Sequence, residues 1–390
     1  MTLITMANPT FFPLQKGNRI ADGAKEGDYQ KINSGSVKVI FKKIASDGNG
    51  GLKLDPKRVT YLSETFLGRR ELSGEAETAR DIQSTLRRIR VVGESNIQTD
   101  MQVKEDIPGV DNAIDAPAAV GDLDGYIKKP ELSLDTRLSL GLQVIKGMHN
   151  MQKAGYVTGD AKLENILVFE TDAGPIARIS DFGKARKLAE EGVSLVDGNP
   201  RFTAPEGVLT RKGEVFSTGL MLLRILEEGI DPEQCKKLQV GKRRGVEALL
   251  LRQGRPNKKG VSGQIAFVKK YMVAKTTGNI SLDQGKSEEE AIHRHIDNLS
   301  SSFFNSPNTD SPKGRALLSI FELIKDMTQD DPAKRPTMEE VEKRYTAALD
   351  KAAPEEESEY VLPETLASEG TPTSPVSTKL TSLIVNDYFS

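Results

Sequence analysis

Between Tyr29 and Ile44 polar and apolar positions alternate, with the β-branched residues Val37, Val39 and Ile44 among the apolar ones and Asn33-Ser34-Gly35 in the middle. A period of two interrupted by turn residues predicts two strands. From Ser73 the period lengthens: Glu75, Ala79, Ile82 and Leu86 fall on one stripe of a helix, and Glu75 is a carboxylate on an otherwise apolar face. After Gly121 the pattern is mainly helical. Ser133 is a candidate N-cap for a helix whose stripe is Leu134, Leu138, Leu142 and Ile145 and which ends near Gly155. Further helices are predicted over about 218–228, 317–327 and 338–348. Strands with one helix first, and helices afterwards, predict an α+β chain with segregated lobes.

Composition narrows the chemistry. With 390 residues and 37% hydrophobic content the chain can bury a sizeable core. Its net charge of −2 provides no overall field toward nucleic acid or an anionic membrane. One cysteine, Cys235, excludes an internal disulfide and Cys-cluster metal sites, and fits a reducing compartment. His293 and His295 stand two apart in a polar segment, the wrong spacing for one helical face, and read as solvated surface. No apolar run reaches the ~20 residues that span a bilayer, and the first fifteen residues do not read as a secretory signal. The last forty residues, with eleven Ser and Thr, six Glu and four Pro, bury too little apolar surface to offset chain entropy and predict a disordered tail.

The residues with chemical content begin at Asp160-Ala161-Lys162-Leu163-Glu164-Asn165, after the long predicted helix. Phosphoryl transfer needs a carboxylate to orient an attacking hydroxyl, a cation near the moving phosphate and oxygen ligands for a metal. Asp160, Lys162 and Asn165 supply all three in one loop. Asp181-Phe182-Gly183 follows in order, then Gly198-Asn199-Pro200-Arg201-Phe202-Thr203-Ala204-Pro205-Glu206, Glu214-Val215-Phe216-Ser217-Thr218-Gly219 and Asp331-Pro332-Ala333-Lys334-Arg335-Pro336-Thr337. Together these five motifs, in this order, resemble those of the eukaryotic-type protein Ser/Thr kinases.

The resemblance spans about residues 19–348 and implies a two-lobed protein-kinase-like fold: a flexible arm over 1–18, a β-rich N-lobe over 19–120 and a mainly helical C-lobe over 121–350. A basic insertion is expected at about 232–312 and a disordered tail over 351–390. It implies ATP and Mg²⁺ as cofactors and a protein hydroxyl as acceptor, with Asp160 and Lys162 catalytic, Asn165 and Asp181 on the metal, and a buried Glu206–Arg335 ion pair. Lys162, two residues after Asp160, implies Ser/Thr specificity. In the first lobe Ile20-Ala21-Asp22-Gly23-Ala24-Lys25-Glu26-Gly27 resembles a degraded glycine-rich loop, with Gly23 and Gly27 near the phosphates. Val39-Ile40-Phe41-Lys42 resembles the strand that carries the phosphate-binding lysine, although Ile40 replaces the usual Ala; this puts Lys42 beside the nucleotide with Glu75 as its partner. Lys57 is the competitor, disfavoured because Pro56 lacks the amide hydrogen a strand needs.

Thr158-Gly159 replaces the family's His-Arg, so a phosphate on the activation loop lacks its usual arginine partner. These departures keep two other readings open, a pseudokinase serving as a nucleotide-binding or scaffold protein and a small-molecule phosphotransferase. Between Lys236 and Lys259 nine basic residues face one acid, Glu247, a local charge of +8 that suits either an acidic partner or a solvated loop. With no aromatic residue among them, nucleic acid is disfavoured. A cytoplasmic setting is expected, with a secreted effector acting in a host cell as the alternative.

Overall fold

The alternation between Tyr29 and Ile44 folds as an antiparallel pair, β2 (Tyr29–Ser34) and β3 (Val39–Ser46), with Tyr29 opposite Lys43 and Ser34 opposite Val39 on either side of a one-residue register shift between Lys31 and Asn33. The structure is a computed structural model that describes residues 10–15, 19–34, 38–63, 66–104, 113–188, 202–230, 288–304 and 311–352. The basic stretch from Lys236 to Lys259, most of the activation loop including Ser194, and the tail beyond residue 352 lie outside the described residues.

Around that pair stand β1 (Phe11–Phe12), β4 (Leu52–Leu54), β5 (Arg58–Leu62), β6 (Gln102–Lys104) and β7 (Ala113–Pro117), in the order β1-β2-β3-β5-β7-β6 with β4 on β3. One face carries Tyr29, Val39, Phe41 and Ala113, closed by Phe11, whose ring stacks on Tyr29 at 5.0 Å and meets Phe41 edge-on at 5.2 Å. The expected flexible arm over 1–18 is thus corrected for Phe11 and Phe12, which pair with the sheet edge while the Phe11 ring packs on its apolar face. Against the other face lies the helix α1 (Phe66–Arg88), whose Leu72 and Ala76 pack on Ile114 and Tyr61. Its stripe from Glu75 through Ala79, Ile82 and Leu86 is buried along its length.

Beyond the connecting strand β8 (Gly121–Asp122) the chain runs through α2 (Leu123–Tyr126) and the long α3 (Leu134–Lys153). Ser133 caps α3, its Oγ accepting from the Thr136 amide at 3.1 Å. There follow β9 (Tyr156–Val157), the hairpin β10 (Ile166–Thr171) and β11 (Gly174–Ile179), β12 (Arg186–Lys187) and α4 (Arg211–Ile230). The chain closes with α5 (Glu288–Phe304), α6 (Pro312–Met327) and α7 (Met338–Asp350). Helix α5 corrects the far end of the expected insertion. Ile292, Ile296 and Leu299 repeat at helical spacing and join the main core, so this segment belongs to the lobe. On the same helix His295 is buried 3.3 Å from Glu227, and His293 Nε2 donates to the Lys325 carbonyl at 3.0 Å; neither is the solvated surface residue that the polar segment suggested.

The Glu206–Arg335 pair is present as a two-pronged ion pair, with Nη1 2.7 Å from Oε1 and Nη2 2.8 Å from Oε2. The Arg335 side chain is fully buried, and Gln329, Lys212 and Asp330 carbonyls accept its remaining N–H groups, so each donor of the guanidinium has an acceptor. The face of Phe216 lies 4.9 Å away. Removing the cation would strand a carboxylate and three carbonyls. We therefore expect Arg335→Met to lower unfolding free energy by about 3–5 kcal/mol in urea titration; a loss under ~1 kcal/mol would show that the site relaxes around the missing charge.

Candidate active site

Strand β3 begins just after a lysine, and that lysine reaches helix α1. Lys38 Nζ makes an ion pair with Glu75 and stands 3.3 Å from Asp181 Oδ1. Glu75 is 4% exposed, so its carboxylate has no water to lean on and depends on Lys38 and on the backbone N–H of Phe182. Burial works against the Lys38 ammonium, but the attraction and hydrogen bonds of the two carboxylates outweigh it and hold its pKa above the ordinary lysine value. Lys38 is therefore a cation throughout the neutral range.

This placement corrects the reading of Lys42. Lys38, Ile40 and Lys42 share a strand face, but four residues separate the two lysines, about 13 Å at ~3.3 Å per residue. Lys42 lies opposite Gln30, toward the far end of the pair from the connection at 35–37. Gly23 and Gly27 lie at that far end too, where the Gly27 amide donates to Ile44's carbonyl, so they do not reach the carboxylates that Lys38 holds. Lys57 precedes β5 and does not approach Glu75 either; its carbonyl accepts from the Ala118 amide. The face of β5 that looks at α1 is taken by Tyr61, opposite Ile40 on β3 and Ile114 on β7. Burial pushes the Tyr61 phenol up to about 12, so it sits as a neutral group beside the Lys38, Glu75 and Asp181 charges.

The second half of the site is the loop after β9. Lys162 Nζ donates to Asp160 Oδ2 at 2.8 Å, and Asn165 Nδ2 reaches the Asp160 carbonyl at 2.9 Å and Oδ2 at 3.3 Å. Asn165 thus spends its amide hydrogens on Asp160, which turns its carbonyl oxygen away from that carboxylate. The two halves are stitched by Ser180, whose amide and hydroxyl donate to the Asn165 carbonyl at 2.8 and 2.9 Å. The next residue, Asp181, has a left-handed backbone (φ 61°), a conformation of positive φ that costs a non-glycine residue strain and is often found at functional positions. Asp181 and the Asn165 amide oxygen are hard oxygen donors, the type Mg²⁺ takes in ones and twos while phosphates and water complete its shell. The donor set fits that ion.

Thr158 and Gly159, where the sequence departs from the family pattern, have separate uses here. Glu214 of α4, 3% exposed, accepts from both the Thr158 amide and its hydroxyl, the latter at 2.6 Å, and so fixes the start of the loop bearing Asp160. Gly159 has φ 71°, and a Cβ there would fall 2.1 Å from the carbonyl oxygen of Lys184. The space an Arg would fill is occupied by the backbone that follows Asp181-Phe182-Gly183. That backbone then pairs as β12 with β9, and Leu188 donates to the Gly155 carbonyl at 2.9 Å. Helix α1 is tied to the same junction through Asp81, which accepts from the Tyr156 hydroxyl at 2.5 Å and lies 3.4 Å from Lys187 Nζ. The hydrogen bond from Tyr156, with Lys187 adding to it, holds the Asp81 carboxyl below the ordinary range. Lys38, Tyr61, Thr158 and Lys184 were not candidates from the sequence. A lysine soon after the Asn33-Ser34-Gly35 turn was the available signal for Lys38.

Gly159→Ala should force this backbone apart. We expect a destabilisation of about 1–3 kcal/mol from the strained φ and the clash, with faster hydrogen exchange at the Leu188 amide; unchanged exchange there would contradict the close approach.

The family model for the protein kinase domain matches residues 117–345. A Caenorhabditis elegans protein named tyrosine protein-kinase src-1 is 32% identical over 110 residues, 26% of this chain and 21% of that protein. The Arabidopsis thaliana serine/threonine-protein kinase ATG1a is 32% identical over 118 residues, 27% of this chain and 18% of the relative. The chain therefore spans about a fifth of the length of these curated relatives. From the last strand of the first sheet to the final helix the family match covers more than half of the residues, and the chain belongs to the protein kinase domain family.

Proposed function

We propose that the protein is an ATP- and Mg²⁺-dependent protein Ser/Thr kinase. The observation that carries this reading is the Lys38 ammonium held between Glu75 and Asp181, with Asp181 stitched through Ser180 to the loop bearing Asp160. A half-buried cation clamped by one carboxylate and facing a second is an anion site with a metal ligand at its edge. Lys38 holds the α- and β-phosphates, taking the part the sequence suggested for Lys42, and Glu75 fixes where Lys38 points. Asn165 and Asp181 would hold Mg²⁺, which would supply positive charge to neutralise the phosphates.

At the other end Asp160 receives the acceptor hydroxyl. As the bond from its oxygen to the γ-phosphorus forms and the bond from that phosphorus to the bridging oxygen breaks, the hydroxyl proton passes to Asp160 and ADP departs. Lys162, hydrogen-bonded to Asp160, places a positive charge where the transferring phosphoryl group passes. A protein acceptor is supported by the match of residues 117–345 to the protein kinase domain; Asp160 lines a shallow depression together with Phe202, Thr203 and Leu209. Ser/Thr specificity rests on Lys162, since the relatives include both a tyrosine and a Ser/Thr kinase by name.

Transfer of radiolabelled phosphate from ATP with Mg²⁺ to generic protein substrates tests the reading. Wild type should label, and Asp160→Asn should fall by at least ~10²-fold, the scale for losing a positioned base. Lys38→Ala should abolish labelling while Lys42→Ala retains it. Equal background labelling by wild type and Asp160→Asn, with nucleotide still bound, would favour the pseudokinase instead.

A further inference from the structure

The close approach at Gly159 brings a second cation to the acceptor site. With no side chain on Gly159, the Lys184 backbone lies against the catalytic loop, and its ammonium comes to 3.7 Å from Asp160 Oδ2. At that distance Lys184 is beyond hydrogen-bond reach of Asp160, whose hydrogen-bonded lysine is Lys162 at 2.8 Å. The two cations are also placed differently. The Lys162 side chain is 22% exposed, whereas that of Lys184 is 46% exposed, so its charge faces the solvent from which a substrate arrives.

Lys184 opens a short basic run. Arg186 and Lys187 follow on β12, which pairs with β9 and so cannot swing away without breaking the strand ladder. Arg186 turns its guanidinium back on the Ala185 carbonyl, and Lys187 is spent on Asp81. Lys184, with its ammonium 3.7 Å from Asp160 Oδ2, is the member of the run that stands at the acceptor. A hydroxyl bonded to Asp160 brings its flanking residues toward that ammonium, and exposed charges act on one another within a Debye length of ~8 Å.

We propose that Lys184 is a specificity-determining residue that selects protein substrates carrying a carboxylate next to the acceptor Ser or Thr. The proposal rests on the kinase reading above and adds its substrate class. An aspartate or glutamate beside the acceptor meets the Lys184 ammonium; a lysine or arginine there meets like charge. Because Lys184 is half exposed, the preference weakens as salt rises. Discrimination then comes as much from rejecting basic neighbours as from attracting acidic ones.

Three peptides with one central serine and with Glu, Gln or Lys on both sides of it separate the possibilities, with wild type compared with Lys184→Met and Lys184→Glu. Wild type should give kcat/KM at least tenfold higher for the Glu peptide than for the Lys peptide, with Gln between. Lys184→Met should flatten the series, and Lys184→Glu should invert it. A wild-type series that is flat, or a Glu preference that persists in Lys184→Glu, overturns the proposal while leaving the kinase reading intact. Absence of labelling in all three peptides and in generic proteins, by contrast, overturns the kinase reading and the proposal with it.

Discussion

The geometry of the site depends on one ammonium held between two carboxylates. Glu75 is a charged residue on a helix face whose other members, Ala76, Ala79 and Ile82, are fully buried. Such a carboxylate must be compensated, and the compensation comes from the opposite sheet rather than from the helix itself. Lys38 therefore sets how α1 sits on the sheet, and through Asp181 it sets where the segment Phe182–Lys184 lies. The remaining elements supply support around this contact. Tyr61 fills the neighbouring strand position with a neutral ring, and the Phe182 ring enters the core beside the α1 stripe.

The departures at Thr158 and Gly159 look like losses when set against the family pattern, yet each has a structural use. Thr158 gives Glu214 a second hydrogen bond, strengthening the link between α4 and the loop bearing Asp160. Gly159 removes bulk so that two backbone segments touch, and β12 docks on β9 by main-chain pairing. Asp81 then joins α1 to that junction through Tyr156 and Lys187. A site assembled through main-chain pairing and an unmodified aspartate has its first helix tied down without a phosphate, which agrees with the missing arginine at position 159.

Much of the second lobe was legible because its chemistry is local in sequence. Asp160, Lys162 and Asn165 fall within one turn of chain, and the structure brings them together through the contacts that short spacing requires. The helix stripes at Glu75 and at Leu138 were legible because burial imposes a period on the sequence. Lys38 was not legible, because its partner lies across the sheet and pairing it required knowing where α1 crosses the strands. Lys42 shares its face and its residue type, so alternation alone could not separate them. Gly23 and Gly27 misled for a similar reason: a glycine pair marks a turn, and this turn serves the opposite end of the strands. Ile292 and Ile296 were hidden among charged neighbours, where the helical period of three apolar residues is short.

The central claim is that the phosphate-binding lysine comes from the start of β3. A crystal structure with Mg²⁺ and a non-hydrolysable ATP analogue tests it directly. Lys38 Nζ should lie within hydrogen-bond distance of the α- or β-phosphate oxygens while still paired with Glu75, and Lys42 should face away from the nucleotide. Phosphates contacted by Lys42 or Lys57, with Lys38 turned out to solvent, would contradict it.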